Sequence, residues 1–135
     1  MASVQKETII DADPADVWAV IGDFIDGPAR MAPGFVTNSR LEEPEVRIVT
    51  FADGTVAHER LIARDDQTRR IVYSVVGGTM HPTHDNASMQ VFPQSEGRSR
   101  FVWIRDMQPD ELAIEVGAGM GHGLSVFKQT MESPR

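Results

Sequence analysis

The sequence predicts an α+β fold, in which an antiparallel sheet lies against one long C-terminal helix. Strand-like segments follow one another closely through the middle of the chain and are separated by turn signals. Only the first strand is followed by a helical pattern, until the segment from 109 to about 132. That last segment carries apolar residues three or four positions apart, which is typical of an amphipathic helix. The predicted order is therefore β-α-α-β-β-β-β-β-β-α.

The N-terminal part predicts one strand and two short helices. Alternation indicates a strand over residues 3–11. Asp13 and Pro14 are typical of a helix start, because one suits the cap and the other the first turn. Gly27-Pro28 ends this helix, and residues 29–32 predict one further helical turn.

The middle of the chain predicts six strands joined by short turns. Turn residues such as Ala52-Asp53-Gly54 and Asp65-Asp66 separate apolar, β-branched segments. The predicted strands are 35–41, 46–51, 55–64, 69–76, 86–92 and 99–107.

Length and composition limit the possible functions. A chain of 135 residues predicts a single domain over 1–135. Its net charge of -7 disfavours nucleic acid and anionic membranes as partners, and the absence of cysteine excludes thiolate chemistry. No apolar run approaches the roughly 20 residues of a membrane-spanning helix. With no secretion signal in the first residues, we expect a cytoplasmic protein.

Several segments resemble the polyketide cyclase/dehydrase-type members of the START-like, Bet v 1-like (SRPBCC) superfamily. They are ADPADVW at 12–18 with IGDF at 21–24, HERL at 58–61 followed by DD at 65–66, YSV at 73–75, NASMQV at 86–91, FVW at 101–103 and GLSVFK at 123–128. The resemblance covers nearly the whole chain. It implies the helix-grip fold, a curved antiparallel sheet around the C-terminal helix with a cavity between them. It does not identify one function, because this fold supports several.

Alternation along the predicted strands assigns residues to the concave face of the sheet. The assigned residues are Ala57, Glu59, Leu61, Ala63, Ile71, Tyr73, Val75, Asp85, Ala87, Met89, Val91, Phe101, Trp103, Arg105 and Met107. Among these, Glu59 and Arg105 are predicted to pair, since an unpaired buried charge is costly. The pair would either anchor or protonate a ligand, or simply fix the sheet. Tyr73 would donate to a ligand carbonyl or belong to the core.

Histidine supplies one further candidate catalytic residue. His81 and His84 lie in a predicted loop at the cavity mouth, where His84 could act as a general base or form a polar rim. The spacing of these residues gives little support for a zinc site. We therefore predict no metal and no cofactor. The candidate catalytic residues are Glu59, Tyr73, His84 and Arg105.

The C-terminal helix contains four alternate glycines, Gly117, Gly119, Gly121 and Gly123. Each costs a helix about 1 kcal/mol relative to alanine, so a reason for them is expected. They would give room or mobility for a ligand, or mark a kinked or partly unwound segment. The full predicted pocket lining is Trp18, Phe24, Met31, Leu61, Tyr73, Asp85, Met89, Trp103, Gly119, Met120, Gly123 and Phe127, with Trp18 and Phe24 equally consistent with core positions.

Three functions fit these features. The first is binding of an apolar small molecule such as a polyketide, aromatic compound, sterol, quinone or fatty acid. The second is a cofactor-free cyclase or dehydratase acting on a polyketide-like substrate, with the four candidate residues moving protons. The third is a protein-interaction or quinone-chaperone module. A homodimer through a sheet edge or helix is compatible with all three.

Overall fold

A computed structural model describes residues 1–133, so the last two residues of the predicted domain lie outside it. The elements in chain order are β1 (Ala2–Ile10), α1 (Pro14–Ile21), α2 (Gly27–Met31), β2 (Val36–Glu43), β3 (Val46–Phe51), β4 (Val56–Asp65), β5 (Arg70–Gly78), β6 (His84–Ser95), β7 (Arg98–Gln108) and α3 (Leu112–Glu132). This order confirms the predicted α+β fold. An antiparallel sheet around a long terminal helix is the helix-grip arrangement that the resemblance implied.

The seven strands form one antiparallel sheet in the order β1-β7-β6-β5-β4-β3-β2. Strands β2 to β7 form a meander, in which each strand pairs with the next one in the chain. β1 lies at the edge opposite β2 and pairs with β7. The two edges of the sheet are therefore β1 and β2.

β6 is longer than predicted, because the turn after it is shorter. The sequence predicted a turn over 93–97, since proline cannot donate a backbone hydrogen bond to a neighbouring strand. In the structure Pro93 pairs with Ser99, and a register shift between Pro93 and Ser95 accommodates it. Gly97, with φ of 72°, then supplies the left-handed conformation that the tight turn requires.

α1 is fixed against the turn between β4 and β5. The helix begins after Asp13, whose carbonyl accepts the N–H groups of Asp16 and Val17. Trp18 lies one turn later, and its Nε1 donates to Asp66 at 2.9 Å. This contact joins α1 to the turn between β4 and β5.

The packed core lies where the C-terminal half of α3 meets β1 and β7. Phe127 of α3 and Phe101 of β7 are fully buried, with ring centroids 5.2 Å apart in an edge-to-face arrangement. Lys128 donates from Nζ to the carbonyl of Ile9 in β1 at 2.6 Å. α3 thus packs closely on the β1–β7 side of the sheet. None of the helices within residues 1–133 is both long enough and apolar enough to cross a bilayer.

Candidate ligand-binding cavity

A cavity of about 630 Å³ lies between the N-terminal half of α3 and strands β3, β4, β5 and β7. This volume falls within the range of small-molecule sites in proteins. Its apolar lining consists of Phe35, Phe51, Val56, Ala57, Val75, Met80, Trp103, Leu112, Val116, Ala118, Gly119 and Met120. Its polar lining consists of Asp53, Thr55, Glu59, Tyr73, Thr79, His81, Arg105, Glu115 and His122. The lining is more apolar than polar, as in sites for hydrophobic molecules that also carry polar groups.

The glycines of α3 contribute to the cavity in different ways. A Cβ built on Gly119 has no atom within 4 Å, and Gly119 borders the large cavity. A Cβ on Gly123 would lie 3.5 Å from both Phe35 and Trp103, so this glycine lets two aromatic rings approach the helix. α3 is a continuous α-helix through all four glycines. The segment is therefore not unwound, and Gly119 provides room.

A smaller cavity of about 50 Å³ adjoins the large one. Both cavities are lined by Phe35, Phe51, Glu59, Tyr73 and Trp103. Beyond this shared wall, the small cavity reaches Met31, Met89 and Gly123, which the sequence predicted as lining residues. These five shared residues therefore form a wall between the large and the small cavity.

Tyr73 and Trp103 form a buried hydrogen-bonded pair in the shared wall. The indole Nε1 of Trp103 donates to the Tyr73 hydroxyl at 3.2 Å, and both residues are buried. Burial raises the pKa of Tyr73, and the negative charge of Glu59 raises it further. The phenol therefore keeps its proton at neutral pH, and its O–H is available to donate to a ligand.

Glu59 pairs with Arg47, so the predicted pair of Glu59 with Arg105 is wrong. Arg47 donates from Nε to Glu59 Oε1 at 2.9 Å, and both side chains are buried. The guanidinium also donates from Nη1 to the carbonyl of Phe24 at 2.9 Å. It lies 4.6 Å from the ring centroid of Phe24 and 5.0 Å from that of Tyr73. Arg47 is thus held on several sides and orients the Glu59 carboxylate.

The order of the strands explains why Glu59 pairs with Arg47 and not with Arg105. β4, which carries Glu59, is separated from β7, which carries Arg105, by two strands. At the usual spacing of neighbouring strands the two backbones are about 14 Å apart. Arg47 is instead the direct cross-strand partner of Glu59. The sequence contained the information for this pairing. Asp53 lies at the centre of the predicted hairpin, and positions 47 and 59, each six residues away from it, lie opposite each other.

Arg105 pairs with Asp85 on the adjacent strand β6. Arg105 donates from Nη2 to Asp85 Oδ1 at 2.5 Å, and Asp85 Oδ2 accepts the backbone N–H of Val75 at 2.8 Å. The carboxylate is thus engaged on both oxygens. The Nε of Arg105 is buried, and within residues 1–133 it has no hydrogen-bond partner. A buried donor without a partner is unusual in a folded protein, so this atom is a candidate contact for a ligand acceptor.

Five predicted lining residues border neither of the two cavities. Trp18 fixes α1, Phe24 lies against Arg47, and Phe127 belongs to the packed core. Asp85 lies behind Arg105, and Leu61 packs against the core beside a register shift in β4. Alternation gave the face of each strand residue, but it did not give the position of α3 across that face. Of the remaining predictions, Tyr73 and Trp103 border both cavities, and Gly119 and Met120 border the large one.

The candidate catalytic residue His84 lies apart from the two histidines that line the cavity. His84 is the first residue of β6 and is exposed. Because Asp85 faces inward, its neighbour His84 lies on the convex face, away from the cavity. His81 and His122 line the large cavity, and the His122 ring meets Phe35 edge-on at 4.5 Å. Within residues 1–133 no group of three or more histidine and carboxylate side chains is placed to hold a metal ion.

Comparison with solved structures shows the same fold in proteins of several kinds. XoxI from Bacillus cereus is 28% identical, with a TM-score of 0.87 over 97% of this chain and 96% of that one. Major latex-like protein 151 from Panax ginseng is 17% identical, with a TM-score of 0.82 over 98% of each chain. The di-domain ARO/CYC BexL from the BE-7585A biosynthetic pathway is 15% identical, with a TM-score of 0.83 over 98% of this chain and 47% of that one. The last two likenesses show the fold alone.

Sequence comparison gives the family. No curated protein matches the chain at a significant level. The profile of one family, described as polyketide cyclase / dehydrase and lipid transport, matches residues 1–132, which agrees with the resemblance noted in the sequence. With nearly the whole chain matched, the protein belongs to the polyketide cyclase/dehydrase and lipid transport family.

Proposed function

We propose that this protein binds an apolar small molecule in the large cavity. The observation that carries this proposal is the volume of about 630 Å³ beside Gly119, bordered by more apolar than polar side chains. Removing apolar ligand surface from water contributes about 25 cal/mol per Å² before the costs of association are subtracted. A hydrophobic ligand that fills this space would therefore bind without further covalent or metal chemistry.

The polar groups of the cavity favour a ligand that carries an oxygen atom. The Tyr73 hydroxyl has a proton to donate, and the Nε of Arg105 has no partner within the described residues. A buried donor without a partner costs about 1–3 kcal/mol. A ligand oxygen that pairs with either group would gain orientation in an otherwise apolar space.

Catalysis by the same cavity is the second candidate function. Glu59 and Tyr73 both belong to the wall shared by the two cavities, and the negative charge of Glu59 raises the pKa of Tyr73. A carboxylate and a protonated phenol beside a bound polyketide-like molecule would support proton transfer in a cyclisation or dehydration. The family description includes cyclases and dehydrases as well as lipid transport.

An interaction module has less support from the surface. The largest exposed apolar side chains are Met1, Ile25, Leu41, Ile62, Val76 and Ile114. No helix or strand carries more than one of Leu41, Ile62, Val76 and Ile114. Scattered apolar residues of this kind are normal on a monomeric surface.

Two glycine variants of α3 test the binding function. Gly119→Leu places a side chain in the large cavity, whereas Gly121→Leu makes the same change where a Cβ also meets no atom within 4 Å but which borders neither cavity. Both changes raise helix propensity by similar amounts. Fluorescence titration with Nile red, a neutral apolar dye, should show at least about tenfold weaker binding to Gly119→Leu, because a steric conflict of about 1.4 kcal/mol or more has that effect. Gly121→Leu should bind the dye like the wild type.

Equal binding by the two variants, or no binding by the wild type, would contradict the proposal. Native mass spectrometry of the purified protein then identifies an apolar ligand that co-purifies with it.

Glu59→Gln separates the two candidate functions. A binding protein should retain its affinity within a few-fold and have no turnover to lose, whereas an enzyme should lose turnover at unchanged affinity.

A further inference from the structure

Both arginines near the cavity already have a carboxylate partner. Arg47 is paired with Glu59, and Arg105 is paired with Asp85. Each pair is electrically neutral at neutral pH. No guanidinium is thus left to neutralise a negative charge brought in by a ligand, since a buried ion is tolerated only when it is paired.

The mouth of the cavity adds negative charge without a matching positive charge. Asp53 and Glu115 both line it. The backbone N–H of Thr55 donates to Asp53 and, together with the Thr55 hydroxyl, lowers the pKa of that carboxyl, so Asp53 is ionised at neutral pH. His81 and His122 are the other titratable groups at the mouth. An anionic ligand in this cavity would therefore lie near two exposed carboxylates at its border.

We propose that the cavity selects electrically neutral ligands that carry a carbonyl or hydroxyl oxygen and discriminates against carboxylates such as free fatty acids. The donors that remain, the Tyr73 hydroxyl and the Arg105 Nε, suit a neutral acceptor oxygen. Ammonium ligands are disfavoured in the interior, because the carboxylates of Glu59 and Asp85 are already engaged by arginines. This inference rests on the proposed binding function and narrows the class of its ligand.

Three naphthalenes with different groups at the same ring position test this selection. They are acetylnaphthalene, naphthoic acid and naphthylmethylamine, which are respectively neutral, anionic and cationic at neutral pH. Calorimetric titrations of all three compounds at one pH, about 8, measure their affinities under the same conditions. The ketone should bind at least about tenfold more tightly than either charged analogue, because an unpaired charge in an apolar site is strongly disfavoured.

Neutralising the mouth should weaken the discrimination against the acid. The double variant Asp53→Asn/Glu115→Gln should bind naphthoic acid about twofold to fivefold more tightly, with little change for the ketone, since exposed charges act at a distance and are screened. The matched control is Glu45→Gln/Glu96→Gln. It changes net charge by the same amount in the β2–β3 and β6–β7 turns, at the other end of the sheet. The control should leave all three affinities unchanged.

The outcomes separate this inference from the proposed function. Naphthoic acid or the amine binding as tightly as the ketone would overturn the inference and leave the cavity a binding site. An equal gain in naphthoic acid affinity in the mouth variant and its control would also overturn it, because net charge alone would then explain the effect. Failure of all three compounds and of Nile red to bind would overturn the proposed function, and the inference with it.

Discussion

The two sides of the concave face are filled in different ways. On the β1–β7 side, the C-terminal half of α3 presents Phe127, which packs against Phe101 with no exposed surface. Toward β3 to β5, the N-terminal half of α3 presents Gly119, and a cavity of about 630 Å³ remains, which also reaches Trp103 and Arg105 of β7. The same helix thus packs tightly against one part of the sheet and leaves a cavity between itself and another part. The two halves of α3 therefore differ in what they present to the sheet, a fully buried ring in one and a glycine beside empty space in the other.

The largest expected effect concerns the closed side. Phe127→Ala should lower the free energy of unfolding by about 3–5 kcal/mol, because it removes a fully buried ring from a packed site. Met120→Ala, at the wall of the large cavity, should cost only about 2 kcal/mol, since Met120 already borders empty space. Denaturant unfolding followed by circular dichroism measures both values. Equal losses for the two variants would contradict the distinction between a closed and an open side.

The next largest effect concerns the buried ion pair beside the cavity. Arg47→Met should lower the free energy of unfolding by about 3 kcal/mol, because it leaves the Glu59 carboxylate buried without a charge partner. The double variant Arg47→Met/Glu59→Leu removes both charges and should recover part of this loss. If the double variant is less stable than Arg47→Met, the cost does not come from an unpaired charge.

A smaller effect is expected at high pH from Tyr73, which stands between the two cavities. Because its pKa in the folded protein is raised above the ordinary 10.0, the stability contributed by the neutral phenol is fully present below pH 10.0 and is lost as the pH rises above it. Tyr73 is the only tyrosine in the chain, so tyrosinate absorbance reports on this residue alone. Its ionisation should coincide with the loss of the circular dichroism of the folded state. Ionisation near pH 10 with the fold intact would show that the phenol is not buried as described.

The fold was largely predictable from the sequence because its signals are local. Alternation, turn residues and the spacing of apolar residues after Pro109 gave every strand and helix in the correct order, with most boundaries within three positions. The largest deviation was at α1, which was predicted to continue to Gly27-Pro28 but ends at Ile21 and is followed by turns. The next was at β6, where a register shift near Pro93 let the strand continue through a residue that normally interrupts strands.

The site was only partly predictable, because it depends on which strands are neighbours. Alternation correctly placed Tyr73, Trp103 and Arg105 on the concave face. It paired Glu59 with Arg105 because it treated all inward charges as equally close. The register of the β3–β4 hairpin, which the sequence contained, points instead to Arg47. The lateral position of α3 depends on long-range packing, and local patterns therefore assigned Phe127 to the pocket and not to the core.

Contacts between a bound ligand and the methionine methyl groups test the central claim most directly. Met80 and Met120 line the large cavity, whereas Met107 is buried but borders neither cavity, and Met1 is exposed. In the protein with labelled methionine methyls, saturated with acetylnaphthalene, nuclear Overhauser effects should connect the ligand to Met80 and Met120 and not to Met107 or Met1. Effects at Met1 or Met107 with none at Met120 would contradict binding in the cavity beside α3.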